Sequence, residues 1–385
     1  MATYLDRTTD ILGRLISYPT ISDQSNLDMI AELRDRLEDD GARVDVWYDE
    51  TGAKANLFAT LGPEGDGGIV LSGHTDVVPV ADQDWTTDPF LSDIRDGRVY
   101  GRGSCDMKGF IAACVALAPL FARKVARRPV HFAFTYDEET GCFGGQALIE
   151  SLRAKGLRPG LALIGEPTSM RVIEGHKGCY EYSTHFHGLA GHGSDPERGV
   201  NAVEYAARYV ARLLELKDAL RERAPRNGKF DPPWTTINTG ALNGGVAHNV
   251  IPSSARVDWE MRPVQASDAD FVKDSLRDYC EDVLLPAMQA VDPMARIDTE
   301  IIAEVSGLEP AEANEARAII LELTGAEHSE LVAFGTEAGL FQQYGMSAVV
   351  CGPGSIEHAH KPDEFVSLEQ LSQCVGMLER LAETL

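Results

Sequence analysis

A chain of 385 residues is longer than one hydrophobic core usually serves, so two domains are expected. Its formal net charge of -25 and pI near 4.7 set it against nucleic acid and anionic membrane surfaces as partners, and the excess acid reads as a solvated surface. With 44% hydrophobic and 25% charged residues, no signal-peptide pattern at its start and no apolar run of bilayer length, it reads as a cytoplasmic protein. Its seven cysteines are odd in number and lack paired spacing, which fits reduced thiols and neither a disulfide framework nor a zinc finger.

In chain order, helical apolar spacing marks residues 4–15 and 26–37, the second with Gly41 placed as its C-terminal cap. Alternation at Val44, Val46, Tyr48 and at Leu57, Ala59, Leu61 marks two strands. The unbroken run Ile69-Val70-Leu71 follows, with the texture of a strand buried on both faces of a parallel sheet. It leads into Gly73-His74-Thr75-Asp76, which places His74 and Asp76 past the carboxyl end of a strand, where open α/β sheets bind ligands. A carboxylate two residues beyond an imidazole suits a metal ligand with its orienting partner.

The Gly-rich stretch Gly101 to Gly109 satisfies neither phosphate-loop pattern, but it presents Asp106 beside the start of a wholly apolar helix, Phe110 to about Ala122. A buried strand at 130–134 ends in Asp137-Glu138-Glu139, and another at 161–164 ends in Gly165-Glu166-Pro167-Thr168. Separate apolar segments thus deliver His74, Asp106, Glu138, Glu139 and Glu166 to sheet-end positions.

After Gly178 the texture changes to strands with one polar face (180–187, 235–239, 255–261 and about 297–305) and two helices (201 to about 220, about 271–285). On the first of these helices Val203, Ala207, Val210 and Leu214 form the apolar face. A helix at 311–323, a buried strand at 347–350, the segment Cys351 to Glu364 and a last helix from Ser367 return to the first texture, and His360 becomes the completing ligand. The expected fold is α/β: a discontinuous catalytic domain of residues 1–178 and 306–385, carrying an inserted α+β domain at 179–305.

Two histidines with three or more carboxylates suit a borderline divalent ion, zinc most simply, with cobalt and manganese also compatible. A pair of ions fits better than one, because Asp106 can bridge while open positions remain for water and a carbonyl. In the acidic pair, Glu139 would bind metal and Glu138 would serve as general base. Serine-triad hydrolysis is disfavoured, since no G-x-S-x-G elbow is present.

These motifs, with Ala359-His360-Lys-Pro-Asp-Glu364, strongly resemble those of the zinc-dependent M20 family of amidohydrolases and exopeptidases, in the family's order and over nearly the whole chain. The resemblance implies a zinc-exopeptidase-like catalytic domain with a lid and dimerisation domain inserted in it. It implies His74, Asp106 and Glu166 on one metal and Asp106, Glu139 and His360 on the other, with Glu138 as acid/base and Asp76 orienting His74. It selects His360 over the nearby His358, because Lys-Pro-Asp-Glu follows His360. In the inserted domain His192 matches a histidine that reaches the partner subunit's site in a homodimer and holds the oxyanion. Asn249 and Arg262 match substrate-binding positions, Arg262 offering a fork to an α-carboxylate. Phe334-Gly-Thr-Glu337-Ala-Gly339 narrows the expected substrate to an N-acyl amino acid with a cationic side chain, for which Glu337 would form a charged wall.

Overall fold

The structure, a computed structural model, describes residues 3–385. The fold is α/β and divides into two compact units. The first comprises the chain up to Gly175 with Pro310–Val332 and Thr336–Leu385; the second comprises His176–Glu309 with Ala333–Gly335. The sequence drew the insertion at 179–305, without the short excursion at 333–335.

The first unit is built on an eight-stranded sheet in the order Arg43–Tyr48, Ala55–Leu61, Val130–Thr135, Ile69–His74, Leu161–Pro167, Ser347–Gly352, Ile173–His176, Glu330–Val332. The four strands from Val130–Thr135 through Ser347–Gly352 are mutually parallel, so their carboxyl ends share one edge. Ile69–His74, Val130–Thr135 and Leu161–Pro167 are buried at every residue, as their continuous apolar sequences require. Ala55–Leu61, the strand marked by alternation at Leu57, Ala59 and Leu61, is also buried nearly throughout, because it lies between two other strands inside the layered core.

Gly109–Lys124 is a core helix, and with the turn before it forms the one segment among the described residues long and apolar enough to cross a membrane. Sequence reading found no such run; 83% of its apolar window is buried inside the fold. Gly165 is required where this helix crosses the sheet, since a Cβ there would overlap the Phe110 ring. The helix expected at 311–323 begins only at Glu315. Asn314 caps it, accepting a hydrogen bond from Arg317 N at 2.9 Å and keeping 311–313 out of the helix.

The second unit is a four-stranded antiparallel sheet in the order Thr236–Gly244, Ser254–Arg262, Cys179–His187, Arg296–Val305, packed against Ala202–Glu222 and Ala266–Tyr279. On Ser254–Arg262, Ala255, Val257, Trp259 and Met261 are buried as the alternation required. The long helix corrects the sequence reading. Its buried stripe is Ala202, Ala206, Tyr209, Leu213, Leu216 and Leu220, whereas Ala207 and Leu214 face solvent, Leu214 at 54% exposure. The helix carries two apolar stripes about one residue apart, and the aromatic one, centred on Tyr209 against Trp259 and Phe186, wins the core because it buries more area.

Candidate active site

The carboxyl edge of the four parallel strands gathers the charged residues. His74 ends its strand, Glu166 lies near the end of the neighbouring one, and Val130–Thr135 runs directly into Asp137-Glu138-Glu139. Asp106 comes from the irregular turn Ser104–Lys108, where it and Met107 leave helical backbone and the peptide between them is cis.

His74 Nε2 lies 3.1 Å from Asp106 Oδ1 and 3.9 Å from Glu166 Oε1. On the other side of Asp106, His360 Nε2 lies 3.3 Å from Asp106 Oδ2 and 3.1 Å from Glu139 Oε2. Oxygen and nitrogen donors of His74, Asp106 and Glu139, and again of His74, Glu138 and Glu166, all approach within 4.8 Å of one another. Asp106 thus stands between the two imidazoles. His358 is elsewhere, its ring centroid 4.3 Å from that of Phe365.

Asp76 meets His74 through its backbone as well as its side chain. His74 Nδ1 donates to the backbone carbonyl of Asp76 at 2.9 Å, while the Asp76 carboxylate stands 3.5 Å away. That hydrogen bond leaves Nε2 facing Asp106 and Glu166. The carboxylate also accepts from Glu138 N at 3.1 Å, Glu139 N at 3.3 Å and Ser22 Oγ at 2.7 Å, pinning the acidic turn to the end of the adjacent strand. Nothing in the local pattern at His74 signalled that tie.

The titration behaviour follows from crowding. Burial and then the Asp106 charge push Glu166 well above the usual carboxylate range; burial pushes Glu138 well above it too, and raises Glu139. Burial opposes the His74 cation, yet Asp106 and the surrounding carboxylates raise it well above its ordinary value. Hydrogen bonds to Asp106 and Glu139 raise His360 to about 10. Asp76, Asp106, Glu138, Glu139 and Glu166 crowd two imidazoles in a poorly solvated space, where ionising the three glutamates is costly and a multivalent cation would offset that cost. Glu166 Oε1 is buried with no hydrogen-bond partner among the described residues and is aimed at that space. The mixed nitrogen and oxygen donor set therefore fits divalent metal.

Glu337 corrects the sequence reading. It is 1% exposed, and its carboxylate accepts from Ser72 Oγ at 2.5 Å and Thr135 Oγ1 at 2.9 Å. Both oxygens are engaged beneath the strands, so it is no open wall for a substrate cation; two hydroxyls facing inward from neighbouring strands outcompete solvent for it.

His192, Asn249 and Arg262 belong to the second unit. Exposed His192 pairs with Val250 across a two-residue ladder, and Gly193 N donates to Asn249 O at 2.8 Å, which sets His192 and Asn249 side by side. Arg262 Nε and Nη2 donate to Glu260 Oε2 at 3.0 and 2.7 Å, so its fork is engaged by a neighbour on its own strand.

Solved structures with the same fold include a tripeptidase from Staphylococcus aureus (18% identity over 99% of this chain and 98% of that one, TM-score 0.71). An M20 family metallo-carboxypeptidase from Sulfolobus solfataricus matches at 16% identity over 100% and 99%, with TM-score 0.71. A dinuclear metal-binding M20 peptidase from Bacillus subtilis matches at 16% over 99% and 98%, with TM-score 0.65. The sequence model of Peptidase family M20/M25/M40 matches residues 70–384, a span that includes every clustered donor, and the chain belongs to that family of hydrolases.

Proposed function

We propose that the protein hydrolyses the amide bond of an N-acyl amino acid with two divalent ions, zinc most simply and cobalt or manganese by the same donor chemistry. His74, Asp106 and Glu166 would hold one ion and Asp106, Glu139 and His360 the other. The observation that carries this reading is the placement of Asp106 between two imidazoles, each with its own further carboxylate. Such ions, when bound, polarise a carbonyl oxygen and lower the pKa of water. Glu138 takes the proton from the attacking water, whose oxygen bonds to the acyl carbon. As the C–N bond breaks, Glu138 gives that proton to the leaving amine. Asp76 keeps the Glu138 backbone in place. His192 is assigned to the oxyanion and Asn249 and Arg262 to the substrate on the family resemblance; for Arg262 this requires release from Glu260.

Within this class we assign the conversion of N-acetyl-L-ornithine to L-ornithine and acetate, the acetylornithine deacetylase reaction of arginine biosynthesis, on the length of the chain and the Phe334 to Gly339 motif. Burial of Glu337 removes the charged wall from that argument, so a succinyl-diaminopimelate desuccinylase or a broader aminoacylase or dipeptidase is kept as the second reading. A non-catalytic metal-binding dimer is disfavoured by the presence of all five donors together with Glu138. The homodimer is supported by the edge strand Thr236–Gly244, whose outer side has no strand partner among the described residues, and by exposed Leu214 and Leu242. The cytoplasmic assignment is supported by seven free cysteines.

The test is amine release from N-acetylornithine, N-succinyl-diaminopimelate, acetylmethionine and a dipeptide, using chelated protein before and after zinc or cobalt is restored. Metal-dependent release greatest on N-acetylornithine supports the full assignment. Greatest release on another substrate keeps the mechanism and moves the name, and no release from any of them by the metal-loaded protein overturns the reaction.

A further inference from the structure

We infer that Gln83 is a positioning residue for His360 and that it sets the affinity of the Asp106, Glu139 and His360 side of the cluster; this rests on the metal-binding reading above. His360 differs from the other donors. Its side chain is 50% exposed, whereas those of His74, Asp106 and Glu166 are buried. Its backbone sits at φ 61, in the left-handed region that residues with a Cβ enter at a cost. Packing does not hold it there.

A continuous chain of hydrogen bonds does. Gln83 Nε2 donates to the His360 carbonyl at 3.0 Å, and Gln83 Oε1 accepts from Arg102 Nη2 at 2.7 Å. Arg102 Nη1 donates to Glu364 Oε2 at 2.6 Å and to the Lys361 carbonyl at 3.4 Å. Glu364 Oε1 in turn accepts from Cys105 N at 2.9 Å and Asp106 N at 3.1 Å. The backbone of one donor, Asp106, is thereby tied to the backbone of another, His360, through three side chains. From the same loop as Gln83, Thr86 N and Oγ1 donate to Asp363 Oδ1 at 3.0 and 2.9 Å.

Arg102 and Glu364 are each 1% exposed, and a buried pair of this kind is costly to break yet adds little net stability over apolar residues. What it supplies here is geometry. Gln83 is the informative link because it is half-buried and its side-chain hydrogen bonds go to the His360 carbonyl, Arg102 and Trp85 Nε1, which leaves the clustered imidazoles and carboxylates untouched by its replacement.

The experiment compares the parent with Gln83→Ala and Gln83→Glu, the latter keeping an acceptor for Arg102 while losing the donor to His360. Each apoprotein is titrated calorimetrically with zinc, its metal ratio is measured after gel filtration, and its thermal unfolding is recorded. The parent should bind two ions. Both variants should weaken one site by about tenfold or more and leave the other within about twofold, the size usual for residues that orient ligands, with apoprotein unfolding unchanged. Two sites at parental affinity in Gln83→Ala, or equal weakening of both sites, overturns the inference. A parent that binds no ion overturns the metal-binding reading itself, and this inference with it.

Discussion

In the parallel sheet, His74 lies 3.1 Å from Asp106 with both side chains buried; on the antiparallel sheet, His187 lies 3.3 Å from Asp298 with side chains 36% and 55% exposed. The atoms and spacing are nearly the same, but the surroundings differ. On the open face of the second sheet water screens each charge, and Arg296 and Arg256 neutralise the acids strand by strand. At the carboxyl edge of the first sheet, His74, Asp106 and Glu166 are buried from solvent and acids outnumber bases. Proximity of an imidazole and a carboxylate is therefore uninformative alone; uncompensated burial distinguishes a site from a surface.

The hardest test of that contrast is Glu138→Gln. Turnover should fall by about 10²- to 10⁴-fold while metal content stays at the parental ratio. The metal-free variant should unfold at or above the temperature of the metal-free parent, since one buried carboxylate has gone. Near-parental turnover would remove Glu138 from proton transfer.

A buried imidazole without a carboxylate partner sharpens the comparison from the other side. His131 contacts Thr60 Oγ1 at 2.9 Å and stacks on Phe58, and burial lowers it from 6.5 to about 4. It is thus neutral in the folded chain where the unfolded chain takes up a proton. Its contribution is complete above pH 6.5 and declines as pH falls toward 4, by about 3 kcal/mol in all. Denaturation by urea across this range should show a shallower slope in His131→Gln, and an unchanged slope would mean that His131 is solvated.

Next comes metal removal, which should return the first unit to its uncompensated state. With free zinc at a hundredfold excess over the dissociation constant, chelation should cost about 2.7 kcal/mol of stability for each ion removed, read as a lower melting temperature. The smallest effect is expected on the exposed sheet, where His187→Ala should alter stability by less than about 0.5 kcal/mol and leave turnover alone. A large effect there would end the distinction between the two sheets.

Much of this site was legible because short apolar strands followed by polar residues announce sheet ends one at a time, and the parallel order then brings those ends together. His74, Asp106, Glu138, Glu139, Glu166 and His360 were each named from local texture or motif and lie at one edge. What local pattern could not show was which side chains are consumed by partners distant in sequence. Glu337 is taken by Ser72 and Thr135, the Asp76 carboxylate by Ser22 and the acidic turn, and Arg102 by Glu364. The long helix of the second unit failed for a related reason: two stripes of similar apolarity compete, and only the sheet beneath decides between them.

Strand Ser347–Gly352 lies between Leu161–Pro167 and Ile173–His176, neither of which it follows closely in the chain. On the ribosome, Leu161–Pro167 therefore waits for a neighbour made about 180 residues later, roughly ten to forty seconds at ordinary synthesis rates. During that interval one of the most apolar strands of the protein has an unpaired edge, and His360 has not yet been made. The nascent chain should consequently depend on holding chaperones through the synthesis of the whole insertion. Ribosome-stalled chains ending before residue 340 should be captured by such chaperones and cut by protease, whereas stalled chains in which the strand has emerged should not.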